Sequence, residues 1–311
     1  MLAALNSLVP VLLIIAVGAV VRQLNILTAE QWSGVDRIAY YVLFPAIIIA
    51  TLARADFASL PTLSLGLALF GAVTIMAGLC LALRPLLARL IGLDGPSFTS
   101  VFQGATRWNA FVALAMAASL HGQQGVSVMA VALVAMIPVL NLMNVAVLAH
   151  FASGSLPGWR KLGLELAKNP FIWSCAVGLL INLSGVPVPA PAMSMLEAIG
   201  RGALPVGLLA VGAGLNIRVA YKPRAATYVA SALRLVLMPI LAASTGWLFG
   251  VGGMALSIAI IATAVPTANA AYLLARQMGG NAELMAEITT VQTLLAILTL
   301  PVAIALFATP H

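Results

Sequence analysis

Arg107 and Asn109 stand two residues apart in the stretch GATRWNAF, residues 104–111, inside a segment otherwise built from Ala, Val, Leu, Phe and Met. A guanidinium presents a rigid fork of N–H donors that matches a carboxylate, and an asparagine amide adds two donors and an acceptor. That pairing is suited to holding an organic anion. A second polar interruption, ATAVPTANAAYLLA at 262–275, carries Thr263, Pro266, Thr267, Asn269 and Tyr272. Pro266 lacks a backbone N–H and clashes with the preceding turn, so a helix through it is expected to kink or break. A break frees backbone groups that hydrocarbon cannot satisfy, and the N-terminus of the following half-helix presents a positive dipole end. Gln103 and Thr106 add neutral polar contacts beside Arg107.

A charge near a bilayer midplane costs about 2.5 to 3.5 kcal/mol on the insertion scale, so Arg107 needs a partner or a wet cavity. Two readings compete: a permanent ion pair with a buried acid, or a clamp for an anionic ligand. The acids Glu30, Asp36, Asp56, Asp94, Glu165, Glu197, Glu283 and Glu287 all fall at or near the ends of apolar runs. This favours the anion clamp. Arg234 is a second candidate, but it sits one to two turns from a span end, within reach of headgroups. Tyr272 is a candidate cavity lining residue, and His121 and His150 are expected to be solvated at span ends.

The elements that position these residues follow from composition. The chain of 311 residues is 62% hydrophobic and 7% charged, with a mean hydropathy of +1.10; an ordinary soluble domain would be about a quarter charged. This is an integral membrane protein. A spanning helix needs about 20 apolar residues, and apolar runs predict ten: 5–21, 38–53, 61–83, 97–119, 125–151, 165–184, 193–215, 223–249, 254–277 and 284–308. The first has its basic residue, Arg22, after the apolar run, the wrong order for a signal peptide, so it reads as a retained helix. Cys80 and Cys175 lie in apolar runs without CxxC spacing or a nearby histidine, so they read as packing residues and not as a disulfide or metal site. The net charge of +7 is scattered singly through the gaps, so it argues for topology and against nucleic acid.

Gaps after odd-numbered spans hold Arg22, Arg37, Arg84, Arg89, Arg160, Lys161, Lys168, Arg218, Lys222, Arg224 and Arg276, whereas the opposite side holds Arg54 and Arg201. The positive-inside rule then makes the odd gaps cytoplasmic and puts both termini on the outer side of the cytoplasmic (inner) membrane. Sliding the sequence by 160 residues aligns Pro10 with Pro170, Ala16-Val17-Gly18 with Ala176-Val177-Gly178, Pro45 with Pro205, and Asn109-Ala110 with Asn269-Ala270. The expectation is an all-α, single-domain polytopic fold of two five-helix repeats, 1–151 and 165–308, inverted because five is odd. Pro45, Pro138, Pro205, Pro239 and Pro301 read as kinks; GAGL at 212–215 and Gly66, Gly71 and Gly78 read as close helix contacts.

These residues resemble the auxin efflux carrier family of bacterial and plant membrane transporters. The resemblance covers nearly the whole chain: LVPVLLIIAVGAVVRQLNILT, DRIAYYVLFPAIIIATLA, the Arg-x-Asn of RWN, ALPVGLLAVGAGL, and most specifically VPTANAAYLLARQMGGNAELMAEITTVQTLLAILTLP. It implies a ten-helix inverted-repeat fold similar to the bile acid sodium symporters, with broken helices 4 and 9 crossing at the substrate site. It also implies carriage of organic anions such as auxin, malate or malonate, and a site at Arg107, Asn109, Pro266, Thr267 and Asn269. Plant members have proline in both crossing helices; this chain has Thr106 opposite Pro266. The long cytoplasmic loop of many plant members is missing, so regulation through it is not expected.

The expected function is secondary transport of a small organic anion by alternating access. A membrane sensor binding the same ligand is the alternative and would call for a signalling domain. An intramembrane enzyme would need a catalytic pair, and no such pair stands in the spans. No cofactor is expected; coupling to H+, coupling to Na+ and uniport stay open, as does a homodimer.

Overall fold

In a computed structural model of the chain, which describes residues 2–56, 61–153, 163–164 and 167–307, every regular element is helical. The order is α1 (Leu2–Gln23), α2 (Ala29–Leu52), α3 (Thr62–Ile91), α4 (Gly95–Thr106), α5 (110–121), α6 (123–148), α7 (Pro170–Ser184), α8 (Ala190–Ala213), α9 (Ala225–Leu248), α10 (Gly253–Ala264), α11 (Ala270–Gln277) and α12 (Ala282–Phe307). Among the described residues, six helical stretches are long and apolar enough to cross a membrane: α2, α3, Gly95–Ala152, α8, α9 and α12. The protein is a multi-pass membrane protein. Arg160, Lys161 and Glu165 of the charge pattern lie outside the described residues.

Local chemistry sets the boundaries. α2 starts at Ala29, ahead of the expected 38, because Thr28 and Gln31 form a capping box, with Gln31 N donating to Thr28 Oγ1 at 3.2 Å and Thr28 N to Gln31 Oε1 at 2.8 Å. α3 runs on to Ile91 and stops at Gly92, which takes φ +65°. α5 and α6 are separated by Gly122 at φ +59°. The chain doubles back there, since Gly125 sits so close to the Ala117 carbonyl that no side chain would fit. Pro45 and Pro239 each follow a π-helical turn, Ala39–Leu43 in α2 and Leu233–Leu237 in α9. A proline at that register cannot donate to the carbonyl four residues back, and the ladder slips by one residue.

The helices form two packed groups. In the first, α1 packs on α8 and α2 on α7 and the start of α8; in the second, α3 packs on α9, α4 on α12, and α10 on the α5–α6 hairpin. The 160-residue offset carries each of these pairs onto another member of the set: α1–α8 onto α7–α2, α4–α12 onto α10–α6, and α3–α9 onto itself. The closest contacts obey the same rule. A Cβ at Gly18 would run into the backbone of Leu209, and one at Gly178 into Ile49 and Leu52; Gly18 and Gly178, like Ile49 and Leu209, are 160 apart. Gly212 is equally tight against Ile15, while Gly71 touches Thr245 and Gly66 only grazes Ala135. Gly78 faces open space, so the close contact expected there is not made.

The groups meet through the α5–α6 hairpin and α12. The contact is aromatic at its centre: the Phe44 and Phe111 rings stack at 4.3 Å and 7°, and Gly207 leaves room for both. Thr51 Oγ1 donates to Gln123 Oε1 across it at 3.0 Å.

Candidate functional site

The two polar stretches read from the sequence are both breaks, and they touch. α4 ends at Thr106 and α5 begins at Ala110; α10 ends at Ala264 and α11 begins at Ala270. At about 1.5 Å per residue the 12 residues of α4 and the 12 of α10 each span roughly 18 Å, well short of the ~30 Å hydrocarbon core. Asn109 N donates to Pro266 O at 2.8 Å, which joins the two breaks backbone to backbone. Thr267 Oγ1 adds a 3.4 Å bond to Gln103 O.

Helix 4 breaks without a proline. Arg107 takes extended backbone, φ −70° and ψ 154°. Asn109 then serves as the cap of α5, its Oδ1 accepting from Phe111 N at 3.1 Å and Val112 N at 3.2 Å. An asparagine that caps two orphan N–H groups does locally what Pro266 does in the other half by removing one. The Asn109 carbonyl oxygen is therefore committed to the fold.

Arg107 is half-buried between α4 and α5. Its Nη2 donates to Asn141 Oδ1 on α6 at 3.2 Å. Its Nη1 is buried and has no hydrogen-bond partner, and Tyr40 on α2 lies within electrostatic range. Among the described residues no carboxylate pairs with it; the ion pairs there include Arg54–Glu197, Arg224–Glu283 at 2.9 Å and Arg224–Glu287 at 3.5 Å. A buried charged donor left unpaired carries a desolvation cost that a ligand oxygen would relieve.

The remaining expected residues divide. Gln103 is fully buried with both amide atoms unpartnered. Thr106 turns its hydroxyl to Phe102 O at 2.7 Å and Asn144 Oδ1 at 3.3 Å, so it packs α4 against α6. Thr263 bonds back to Ala259 O within α10. Asn269 is half-buried, caps nothing with its side chain, and lies against Gly214 of the GAGL stretch. Tyr272, less than one turn further along, packs at the margin of the core.

Arg234 departs from the sequence reading. It does not reach headgroups: it is 0% exposed, and its Nε donates to Val265 O at 2.8 Å, its Nη2 to Ala262 O at 2.9 Å and its Nη1 to Thr106 O at 3.5 Å. The π turn in α9 that carries it aims it at both breaks. Gln292 on α12 went unread in the sequence altogether. Its Oε1 accepts from Thr267 N at 3.0 Å, and its Nε2 donates to Gly104 O at 3.0 Å and Ala230 O at 3.2 Å. A glutamine on an apolar helix three turns from its start was the available signal. His121 is likewise half-buried, its Nε2 2.8 Å from Ser257 Oγ, while His150 is exposed as expected.

A cavity lies away from the breaks. A space of about 550 Å³ opens between the two helix groups beyond the Phe44–Phe111 stack, lined by Thr51, Arg54, Gln123, Ser127, Glu197 and Arg201 among others. No residue of either break lines it.

A family model described as membrane transport protein matches residues 159–304, from just before α7 into the last turns of α12. A protein of Methanothermobacter thermautotrophicus described as an uncharacterized transporter is 25% identical over 306 residues, which is 95% of this chain and 96% of the relative. The first match covers the second break, and the second runs through both. Over residues 159–304 the chain is thus similar to the membrane transport proteins, in line with the resemblance that its sequence motifs carry.

Proposed function

We propose that the protein is a secondary transporter of a small organic anion, a carboxylate, and that the two breaks form its binding site. The single observation that carries this reading is the Arg107 guanidinium, whose buried Nη1 has no hydrogen-bond partner and which stands two residues before Asn109, the cap of α5. A carboxylate oxygen would supply the missing acceptor, with Asn269 and the α11 N-terminus beside it and the Asn109-capped end of α5 opposite. Gln103, Thr106, Pro266 and Thr267 shape the crossing.

Ten membrane crossings in two inverted five-helix repeats fit this function. The repeated packing pairs and the Gly18–Leu209 and Gly178–Ile49 contacts are what a two-fold axis in the membrane plane would generate. Exchange of conformations between such halves yields outward-open and inward-open states, in which the apolar stack of Phe44 on Phe111 would slide and the Thr51–Gln123 bond would break.

Uptake of radiolabelled mono- and dicarboxylates into proteoliposomes tests the reading, with Arg107→Ala beside the wild type. The variant is expected to lose transport at least tenfold while keeping its fold. Wild-type transport by Arg107→Ala would remove the anion clamp.

A further inference from the structure

The crossing of two broken helices has two negative ends as well as two positive ones. α4 and α10 both finish there, and each C-terminus carries roughly half a negative charge together with carbonyl groups that no helical N–H satisfies. Such ends, with unwound carbonyls, are where a transporter commonly holds a monovalent metal cation. In this chain the spot is filled from within. Arg234 is completely buried, and it donates to Val265 O and Ala262 O at the end of α10 and to Thr106 O at the end of α4. Among the described residues, none of its hydrogen-bond partners is a carboxylate. A buried cation lacking an acid is costly unless several dipoles surround it, and here the dipoles come from both half-helices at once.

We propose that the Arg234 guanidinium is a tethered cation standing where a coupling metal ion would otherwise bind at the crossing, so that the protein takes up no monovalent cation there. It holds the negative ends of α4 and α10 together and thereby positions Arg107, the residue that follows Thr106. The proposal builds on the transporter reading but is tested by a readout that needs no transport.

The experiment follows the melting temperature of the detergent-solubilised protein as N-methylglucamine chloride is replaced by NaCl, KCl or guanidinium chloride at constant ionic strength. Uptake is measured in parallel. The wild type is expected to show no saturable rise in melting temperature in any of these salts, guanidinium giving only the shallow linear fall of a denaturant, and to transport equally in N-methylglucamine, sodium and potassium chloride. Arg234→Ala is expected to melt lower and to recover saturably with guanidinium or a monovalent metal ion, and its uptake to rise at least tenfold over its own baseline. Arg234→Lys, a shorter cation on the same backbone, is expected to fold better than Arg234→Met and to need no added ion.

A saturable rise in wild-type melting temperature or uptake with Na+ would overturn the proposal. So would a folded Arg234→Ala that responds to no cation, or an Arg234→Met as stable as the wild type. Where Arg234→Ala does not fold, the comparison of Lys with Met and the wild-type salt series decide. A protein that transports no carboxylate in any form, with a melting temperature behaving as described, would count against the anion reading and leave Arg234 as the internal cation.

Discussion

Replacing Gln292 by leucine tests whether one side chain on α12 ties the two breaks together. The change keeps the volume and removes the amide. Two groups then lose their partner inside the protein: the Thr267 N–H, bonded at 3.0 Å, and the Gly104 carbonyl, also at 3.0 Å. Ala230 O keeps its bond from Leu233 N. Each buried orphan costs about 1 to 3 kcal/mol, and the better burial of leucine offsets roughly 1 kcal/mol. The net loss is therefore about 1 to 5 kcal/mol, which for a chain of this size corresponds to a fall in melting temperature of roughly 2 to 8 °C. The loss is local to the crossing, so uptake should fall more steeply than stability, because the Thr267 and Gly104 segments would no longer be held in register. The assay is thermal unfolding in detergent with uptake in proteoliposomes. Thr289→Val serves as the control: its hydroxyl donates only to Met285 O in its own helix, at 2.9 Å, and its removal should cost no more than about 0.5 kcal/mol. If Gln292→Leu melted within about 1 °C of the wild type and transported equally, the crossing would not depend on this amide and the account of it given above would be wrong.

Gly18→Ala and Gly178→Ala should each destabilise by about 1 to 3 kcal/mol, since the added methyl meets backbone on one side and the Leu52 and Ile49 positions on the other. If the halves are related by a two-fold axis, the two losses should match within about 1 kcal/mol in parallel melts. Asp94 caps α4, accepting from Ser97 N at 2.8 Å, and bonds from Ser97 hold its carboxyl below the ordinary value of 3.8. A depressed carboxyl stabilises the fold above its unfolded-state value and stops doing so as the pH falls through the folded-state one. Asp94→Ala should therefore lower the melting temperature at neutral pH and make no difference in acid below that range; an equal effect at both would show that the charge is not what the cap contributes.

Much of the fold was legible because hydrocarbon leaves so few options. The apolar runs gave helices, and the offset that aligned Gly18 with Gly178 also aligned the helix pairs that pack. The second break was legible through Pro266; the first followed only from the 160-residue offset and the family resemblance, because an asparagine cap at Asn109 does there what no proline marks. The limits have physical causes. Thr28 and Gln31 are a capping box visible in the sequence, yet hydropathy does not register caps, so α2 was started too late. Arg234 read as snorkelling because distance from a span end was taken as exposure; a π turn before Pro239 rotates it inward, and no periodicity argument carries that. Gln292 is one polar residue in a helix rich in threonines, and only tertiary contact separates the amide that bridges two breaks from hydroxyls that bond back to their own helix.

The joining of the two breaks also sets an order of events during synthesis. When α4 and α5 emerge, neither half is long enough to span the bilayer, and the groups that will satisfy them are still unmade: Arg234 is 128 residues after Thr106, and Gln292 is 188 after Gly104. At about 5 to 20 residues per second, the open backbone around Arg107 waits on the order of ten seconds or more for its partners. The first half must therefore be held at the insertion machinery, or in water at the membrane edge, until the second arrives. Truncation after α6 should leave a product that is degraded, not a stable half.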